Sequence, residues 1–207
     1  MKKYELTTET KDYFSKTLCR IRALKSFGLV EAGDLGGWIE KEENLAQEGD
    51  AWVFDNAWVY GNARVFDNAW VSDNARVFGN AQVSDSARVS DSARVFGNAQ
   101  VCDNAGVSDD AQVSDNAKVY GNAQVFNNVW VSGDAKVFGN AQVSGNAEVF
   151  GNVEVFDDAQ VYGDAEVSGN AWVFGNTRVF GDAEVFGEAW VCGNARVSGN
   201  AWVFGEE

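Results

Sequence analysis

From residue 51 to residue 206 the apolar positions of this chain recur every six residues, without an insertion or a deletion. The third residue of the hexad is Val in all 26 hexads, from Val53 to Val203. The first residue is Ala in 23 hexads and is replaced only at Val129, Val153 and Thr177. A short, fixed period indicates a solenoid, and a six-residue period is typical of a parallel β-helix.

The alternation of side chains along a strand assigns each hexad position to a face. Ala and Val, two residues apart, share one side of the strand. The position between them holds Trp, Arg, Lys, Gln, Glu and one Gly, so it faces water and the Ala and Val columns point inward. The same parity sends the residue after Val outward. Gly or Asp, usually followed by Asn or Asp, then forms a corner, because these residues tolerate positive φ.

This pattern resembles that of the hexapeptide-repeat, left-handed β-helix proteins, in which a small residue follows an aliphatic one by four positions, as in Val53 and Ala57. The resemblance covers residues 51–206. It implies three hexads per coil, so that each residue stacks on the one three hexads further on, and it implies the left hand. We therefore expect an all-β fold, a single-stranded left-handed parallel β-helix of about 8.7 regular coils (26 hexads at three per coil) with a small N-terminal cap.

The first 50 residues depart from the clean repeat. We divide the chain into a cap at 1–36, an imperfect first coil at 37–50 and the hexapeptide-repeat β-helix at 51–207. In the cap, Cys19, Ile21 and Ala23 alternate as one side of a strand, and in the first coil Ile39 and Leu45 fall in the Ala column. The head, KTLCRIRALKSFG followed by GDLGGWIEKEENL, resembles uncharacterised β-helix proteins of bacteria and prophages, some of which are named acyltransferases from the repeat alone.

Composition restricts the partners that this chain can have. The net charge of −15 argues against direct binding to nucleic acid or to an anionic membrane, since both attract Lys and Arg. It favours a protein partner with a basic surface. No apolar run is long enough to span a membrane, and the N-terminus lacks the apolar core of a signal peptide, so we expect a cytoplasmic protein. The three cysteines form no metal or redox spacing, and we expect neither a metal nor a cofactor.

Stacking of each coil on the next predicts two kinds of vertical column on the outer surface. Acidic columns line two corners, formed by Asp55, Asp73, Asp91 and Asp109 and by Asp67, Asp85 and Asp103. Aromatic columns are formed by Tyr120, Phe138, Phe156 and Phe174, by Trp172 and Trp190, and by Trp52 and Trp70. The acidic columns serve either the turns themselves or recognition of a partner. The aromatic columns are either ordinary stacking or a face for binding and self-association.

Catalytic groups are missing from the repeat. The hexapeptide acyltransferases that it resembles generally use a histidine base, and this chain has no histidine. We therefore expect no enzyme and no catalytic residue. The first hypothesis is a non-catalytic acidic binding protein, most specifically a phage- or prophage-type inhibitor or decoy that mimics DNA and binds a basic, nucleic-acid-handling host protein. The alternatives are a structural, self-assembling module that forms a homo-oligomer, and a degenerate hexapeptide acyltransferase.

Overall fold

The computed structural model describes residues 2–206 and is an all-β solenoid with three parallel sheets as its faces. Three longer strands come first, β1 (Tyr4–Tyr13), β2 (Lys16–Ala23) and β3 (Leu35–Ile39), followed by a 3-10 helix at Glu42–Asn44. Within the described residues, no helix is long and apolar enough to cross a membrane. The predicted stack of parallel coils is confirmed.

Each face of the prism is named here after the first residue of its first coil strand. The Trp52 face holds Trp52–Val53, Trp70–Val71, Arg88–Val89, Gly106–Val107, Gln124–Val125, Gln142–Val143, Gln160–Gly163, Arg178–Gly181 and Arg196–Val197. The Trp58 face continues from β1–β3 through Trp58–Val59, Arg76–Val77, Arg94–Val95, Gln112–Val113, Trp130–Val131, Glu148–Val149, Glu166–Val167, Glu184–Gly187 and Trp202–Gly205. The Arg64 face holds Arg64–Val65, Gln82–Val83, Gln100–Val101, Lys118–Val119, Lys136–Val137, Glu154–Val155, Trp172–Val173 and Trp190–Val191.

The core is a stack of Ala and Val layers. Each strand pairs with the strand three hexads further on, as Val53 does with Val71, so the three-hexad coil is confirmed. The inward columns are buried along the rod, with an exposure of 0% at Val125 and at Thr177, where Thr replaces Ala. Burial of a Val side chain contributes about 1.5–3 kcal/mol, and each coil adds three of them. The rod is therefore stabilised by repetition of one small contact.

Corners are fixed by backbone conformation and by an amide ladder. The first corner residue has positive φ, +58° at Asp91 and +71° at Gly97, which is why Asp, Asn and Gly share this position. The second corner residue is usually Asn, and its side chain bonds to the coil above: Nδ2 of Asn62 donates to Oδ1 of Asn80 at 3.2 Å, and Asn80 donates to Asn98 at 2.9 Å. These bonds hold the corners in register.

The first coil is longer than the others by two residues. Ile39 pairs with Val59 and Leu45 pairs with Val65, so both lie in the Val column. The prediction that they occupy the Ala column is wrong, because the corner after Leu45 holds two extra residues. The regular register begins with the clean repeat, since the N–H of Trp52 donates to the carbonyl of Ala69 at 3.1 Å, 17 residues further on, as the N–H of Trp58 does to the carbonyl of Ala75.

The cap closes the N-terminal end with an antiparallel hairpin. β1 pairs with β2, and β2 pairs with β3. Ile21 and Ala23 are buried as predicted, whereas Cys19 is only half-buried. Leu18 is also fully buried, because this part of the hairpin folds over the outer surface and packs on Trp38 and Tyr60. Both sides of β2 therefore contribute to the core.

The cap also buries an indole that the repeat pattern places outside. Trp52 is 1% exposed, with its ring 5.4 Å from that of Phe27 and 6.1 Å from that of Tyr4. The prediction that Trp52 belongs to an exposed binding column is wrong, because the strand parity is right but the cap covers this position.

Lys3, which belongs to the cap, is fully buried against the first coils. Its ammonium group donates to the carbonyl of Ala51 at 2.8 Å and lies 5.1 Å from the centre of the Phe27 ring. Burial lowers the pKa of Lys3 from 10.5 to about 8. Above about pH 8 we therefore expect the folding of the cap onto the first coils to release a proton from this amine.

Replacement of Val125 by Asp should break the rod at its middle. A buried, unpaired carboxylate costs about 3–5 kcal/mol, and the coils on either side have no other contacts to compensate. Gln124→Asp, on the outward position of the same strand, is the matched control and should leave thermal unfolding nearly unchanged. Circular dichroism melting curves compare the two variants. Soluble Val125→Asp protein with a wild-type melting curve would contradict the inward assignment of the Val column.

The stability of the cap should rise with pH between about 8 and 10. In this range the unfolded chain keeps a proton on Lys3 that the folded chain has released, so the free energy of unfolding increases with pH. Lys3→Met lacks the titrating group and should lose this part of the pH dependence. Melting temperatures of both proteins between pH 7.5 and 9.5 provide the measurement, in a range chosen below the titration of tyrosines. Parallel pH profiles would show that the amine is not the titrating group.

Candidate functional site

A ladder of stacked rings runs along the Arg64 face. Ring centres are separated by 4.8 Å between Tyr120 and Phe138, and by 4.9 Å from Phe138 to Phe156 and from Phe156 to Phe174. Neighbouring planes differ by no more than 5°. The rings are half-buried, and burial raises the pKa of the Tyr120 phenol. The predicted aromatic column therefore exists as one continuous stack.

Trp172 and Trp190 extend this aromatic surface on the same face. Their rings stack at 5.2 Å, and each meets the ladder edge-on, Trp172 with Phe156 at 6.1 Å and Trp190 with Phe174 at 6.4 Å. Trp190 is 66% exposed. Because each stacked ring covers the face of the next, solvent meets mainly ring edges. Edges suit contact with apolar side chains, because stacking of a sugar or a base and attraction of a cation both need the ring face.

Trp70 does not join this surface. It lies on the Trp52 face, where the guanidinium group of Arg88 covers its ring at 5.0 Å and Phe54 contacts it edge-on at 5.5 Å. Trp52, beside it, is the indole buried by the cap. The four predicted tryptophans therefore separate into an exposed pair on the Arg64 face and a covered pair near the cap.

The acidic columns are present at two corners, and their carboxylates bond to the backbone. Oδ2 of Asp73 accepts from the N–H of Asp91, and Oδ2 of Asp91 from the N–H of Asp109, both at 3.4 Å. In the second column Asp103 accepts from the N–H of Gly121 at 2.9 Å. The same side chains remain exposed to solvent. Their geometry accounts for Asp at these corners through turn chemistry, with the charge left available on the outside.

One acidic column leads directly into the aromatic ladder. Tyr120 stacks on Cys102 in the next coil. The N–H of Gly121 donates to the carboxylate of Asp103, and this hydrogen bond joins the two coils. We call this strip of the rod the ladder edge. It comprises Asp67, Asp85, Asp103, Tyr120, Phe138, Phe156 and Phe174. A partner lying along the edge would meet carboxylates near the cap and rings further on.

A cluster that sequence analysis overlooked lies on this edge. Donor atoms of Asp85, Cys102 and Asp103 lie within 4.8 Å of one another, which is close enough for a metal ion. The signal was present in the sequence, since the stacking rule places Asp85 on Asp103 and Cys102 precedes Asp103. Both carboxylates already accept backbone N–H groups. Burial and the two carboxylates raise the pKa of Cys102, so the thiol stays protonated at neutral pH and is a poor nucleophile.

One depression of the described surface lacks the base that acyl transfer needs. It is centred on Gly106, measures about 350 Å³ and opens on the Trp52 face where the outward side chain is missing. Arg88, Ser90, Ser108 and Gln124 line it, with hydroxyl, amide and guanidinium groups. None of these groups is a base at neutral pH, so this depression can bind polar groups but holds no means of removing a proton.

Comparison with known proteins agrees with this geometry. A model of the YdcK β-solenoid repeat matches residues 57–73, 69–85, 99–115, 111–125, 159–175 and 189–205. The chain is a β-solenoid built on a six-residue repeat. It is similar to the uncharacterised acetyltransferase YdcK of Escherichia coli (strain K12), with 38% identity over 77 residues.

This similarity is partial on both sides. The aligned stretch is 33% of this chain and 24% of the length of the E. coli protein. The repeat units that match are the part of the chain whose sequence is dictated by the coil itself. The likeness therefore accounts for the scaffold, and the acetyltransferase name stays with the relative.

Replacement of Asp91 separates its contribution to the turn from its contribution to the surface charge. Asp91→Asn should leave the melting temperature equal or slightly higher, because Asn127 already occupies this column with φ +66° and accepts the N–H of Gly145 at 3.2 Å. Removing one of several stacked like charges also favours the fold. Asp91→Ala loses the acceptor and strains the left-handed backbone, and it should lower stability by about 1–2 kcal/mol. Thermal unfolding distinguishes them, and equal melting of both variants would remove the turn from the explanation.

Proposed function

We propose that this chain is a non-catalytic binding protein that holds a protein partner with a basic, partly apolar surface along the ladder edge. The observation that carries the proposal is the continuity of this edge. Exposed carboxylates of Asp85 and Asp103 lead into a ring ladder that begins at Tyr120. Carboxylates steer a basic partner, and ring edges supply apolar contact once it is bound.

Charge supports the same choice of partner. The chain carries 31 acidic against 16 basic residues, a net charge of −15, which repels nucleic acid and attracts basic proteins. An inhibitor or decoy of phage type is the most specific form of this proposal, and its support is the head sequence and the charge. We do not extend it to mimicry of DNA, because beyond Asp103 and Asp109 the two acidic columns hold Gly or Asn, with the single exception of Asp157.

Assembly of the rod with itself is the second candidate function. It is favoured by the stacked pair Trp172 and Trp190, which leaves apolar area exposed at the far end of the ladder. Both candidates use the same face, so they differ in the partner rather than in the surface. Light scattering separates them when the purified chain is compared with a Trp172→Ser, Trp190→Ser variant, since only self-assembly through this face is lost in the variant.

Acyl transfer is the remaining alternative, and its support is the name of the E. coli relative. Against it stand the absence of histidine from the sequence and the protonated state of the Cys102 thiol. Acetyl-CoA turnover by the purified chain, with an amine or alcohol acceptor, would overturn the proposal of a non-catalytic function.

Removal of the ladder should abolish partner binding without unfolding the rod. The variant replaces Phe138, Phe156 and Phe174 by Ser, a residue that already follows Val in nine hexads. Wild-type protein, used as bait in an extract of its native cells, should retain basic proteins at low salt and release them at high salt. The ladder variant should retain none of them.

The matched control is a variant that loses three aromatic rings on another face. Phe126, Tyr162 and Phe180 follow Val on the Trp52 face, and their replacement by Ser should leave binding unchanged. Asp67→Asn, Asp85→Asn and Asp103→Asn together should weaken binding and reduce its dependence on salt. If the control variant loses the same proteins as the ladder variant, or if the ladder variant keeps them, the ladder edge is not the binding site.

A further inference from the structure

Charges on the Trp58 face are segregated along the rod. The outward column of this face, here called the charge stripe, is fixed by the pairing of successive strands. From the cap outward it consists of Arg76, Arg94, Gln112, Trp130, Glu148, Glu166 and Glu184. Stacked at about 4.8 Å, the arginines repel one another at one end and the glutamates at the other.

Within residues 2–206 the charge stripe forms no ion pair, and its nearest charge to the cap, the Arg76 guanidinium, lies over the Trp58 ring at 4.6 Å. The ion pairs among residues 2–206 include none of its charged side chains; they are Lys2–Glu42, Lys16–Glu40, Arg20–Glu9, Arg22–Glu5 and Lys136–Glu154. The last pair shows the alternative. On the Arg64 face, Lys136 and Glu154 stand on successive coils and bond at 2.7 Å. A column can thus neutralise itself when opposite charges are neighbours, and the charge stripe lacks that arrangement.

We propose that the Trp58 face is self-complementary and that two copies of this chain pair through it in antiparallel orientation. The charges of the stripe reverse sign about the point between Gln112 and Trp130, with arginines on one side and glutamates on the other. A twofold axis through that point, perpendicular to the rod, places Arg94 opposite Glu148 of the second copy and Arg76 opposite Glu166 of the second copy. Each contact occurs twice, as in any isologous interface.

The neighbouring column agrees with the same axis. Two residues beyond the stripe positions, Phe96 lies opposite Phe150 of the second copy. At the centre, Ser114 is buried and its Oγ accepts from Nε1 of Trp130 at 3.1 Å, so the exposed indole of Trp130 lies between the two pairs of Phe rings. A single register of the antiparallel pair therefore brings like side chains together in this column and opposite charges together in the stripe.

A depression on the face is placed to receive the arginine. It measures about 260 Å³ and is lined by Trp130, Ser132, Glu148 and Phe150. In the antiparallel pair Arg94 of the second copy lies over it. A guanidinium group there meets a carboxylate and two aromatic rings. These surroundings suit arginine better than lysine. Trp130 is 47% exposed in the single chain, so the pairing would also cover an exposed indole.

The hairpin of the cap limits the size of the contact. Tyr13 packs on Trp58 and Tyr60, so the usable face runs from Arg76 to Glu166. Six levels at about 4.8 Å and a strand about 13 Å long give a footprint of roughly 24 by 13 Å on each copy. An interface of this size belongs to the weak, transient class, in which charge pairs determine orientation and register.

Charge reversal tests the pairing through its own symmetry. Arg94→Glu and Glu148→Arg should each weaken dimerisation at least tenfold in sedimentation equilibrium at high protein concentration, because each places like charges together twice. An equimolar mixture of the two variants should form a heterodimer with wild-type affinity, since both contacts are then opposite in charge. Rescue in the mixture also shows that both variants are folded.

Arg178→Glu is the matched control, with the same change in net charge from −15 to −17 but on the Trp52 face. It should dimerise as wild type does. A wild-type chain that remains monomeric, single variants with wild-type affinity, or a mixture without rescue would each overturn the proposal. Loss of the dimer in the ladder variant, with Arg94→Glu unaffected, would assign self-association to the Arg64 face instead.

Discussion

The stacking of each coil on the next is the interaction on which the rest of this structure depends. The inward Ala and Val side chains contact their equivalents in the neighbouring coils, and each strand between the two ends of the rod bonds to the strands above and below it. A side chain that is too large, too polar or one residue out of phase would disturb both neighbours at once. This constraint explains why Val never varies and why the repeat tolerates no insertion between residues 51 and 206.

The same constraint makes the core predictable from the sequence and the cap only partly so. The inward columns follow from strand parity, and the stacking of every third hexad follows from the period. The apolar pattern assigns Ile39 and Leu45 to the wrong column because two extra residues in one corner change the phase without changing that pattern. It misplaces Trp52 because the burial of this indole depends on the cap, which approaches from outside the coil. Such contacts between distant segments have no periodic signal.

For the outer surface, the stacking of coils predicts some features and not others. It correctly places the ring ladder and the tryptophan pair on one face, since position along the chain determines both face and level. It does not reveal that the carboxylates at the corners bond to the backbone of the next coil, which depends on side-chain rotamers. The acidic columns are therefore parts of the fold as well as charges available to a partner.

A rod of identical coils offers only a few positions on which selection for function can act. The inward columns are fixed by packing and the corners by φ, so information is concentrated in the outward position and in the residue after Val. A sequence under no constraint at these positions would place charges without regard to face. Here Lys136 and Glu154 neutralise each other on one face, while arginines and glutamates are kept apart on another. Since stacked like charges destabilise the single chain, the separation of arginines from glutamates on the Trp58 face is the observation from which we propose a contact between two copies.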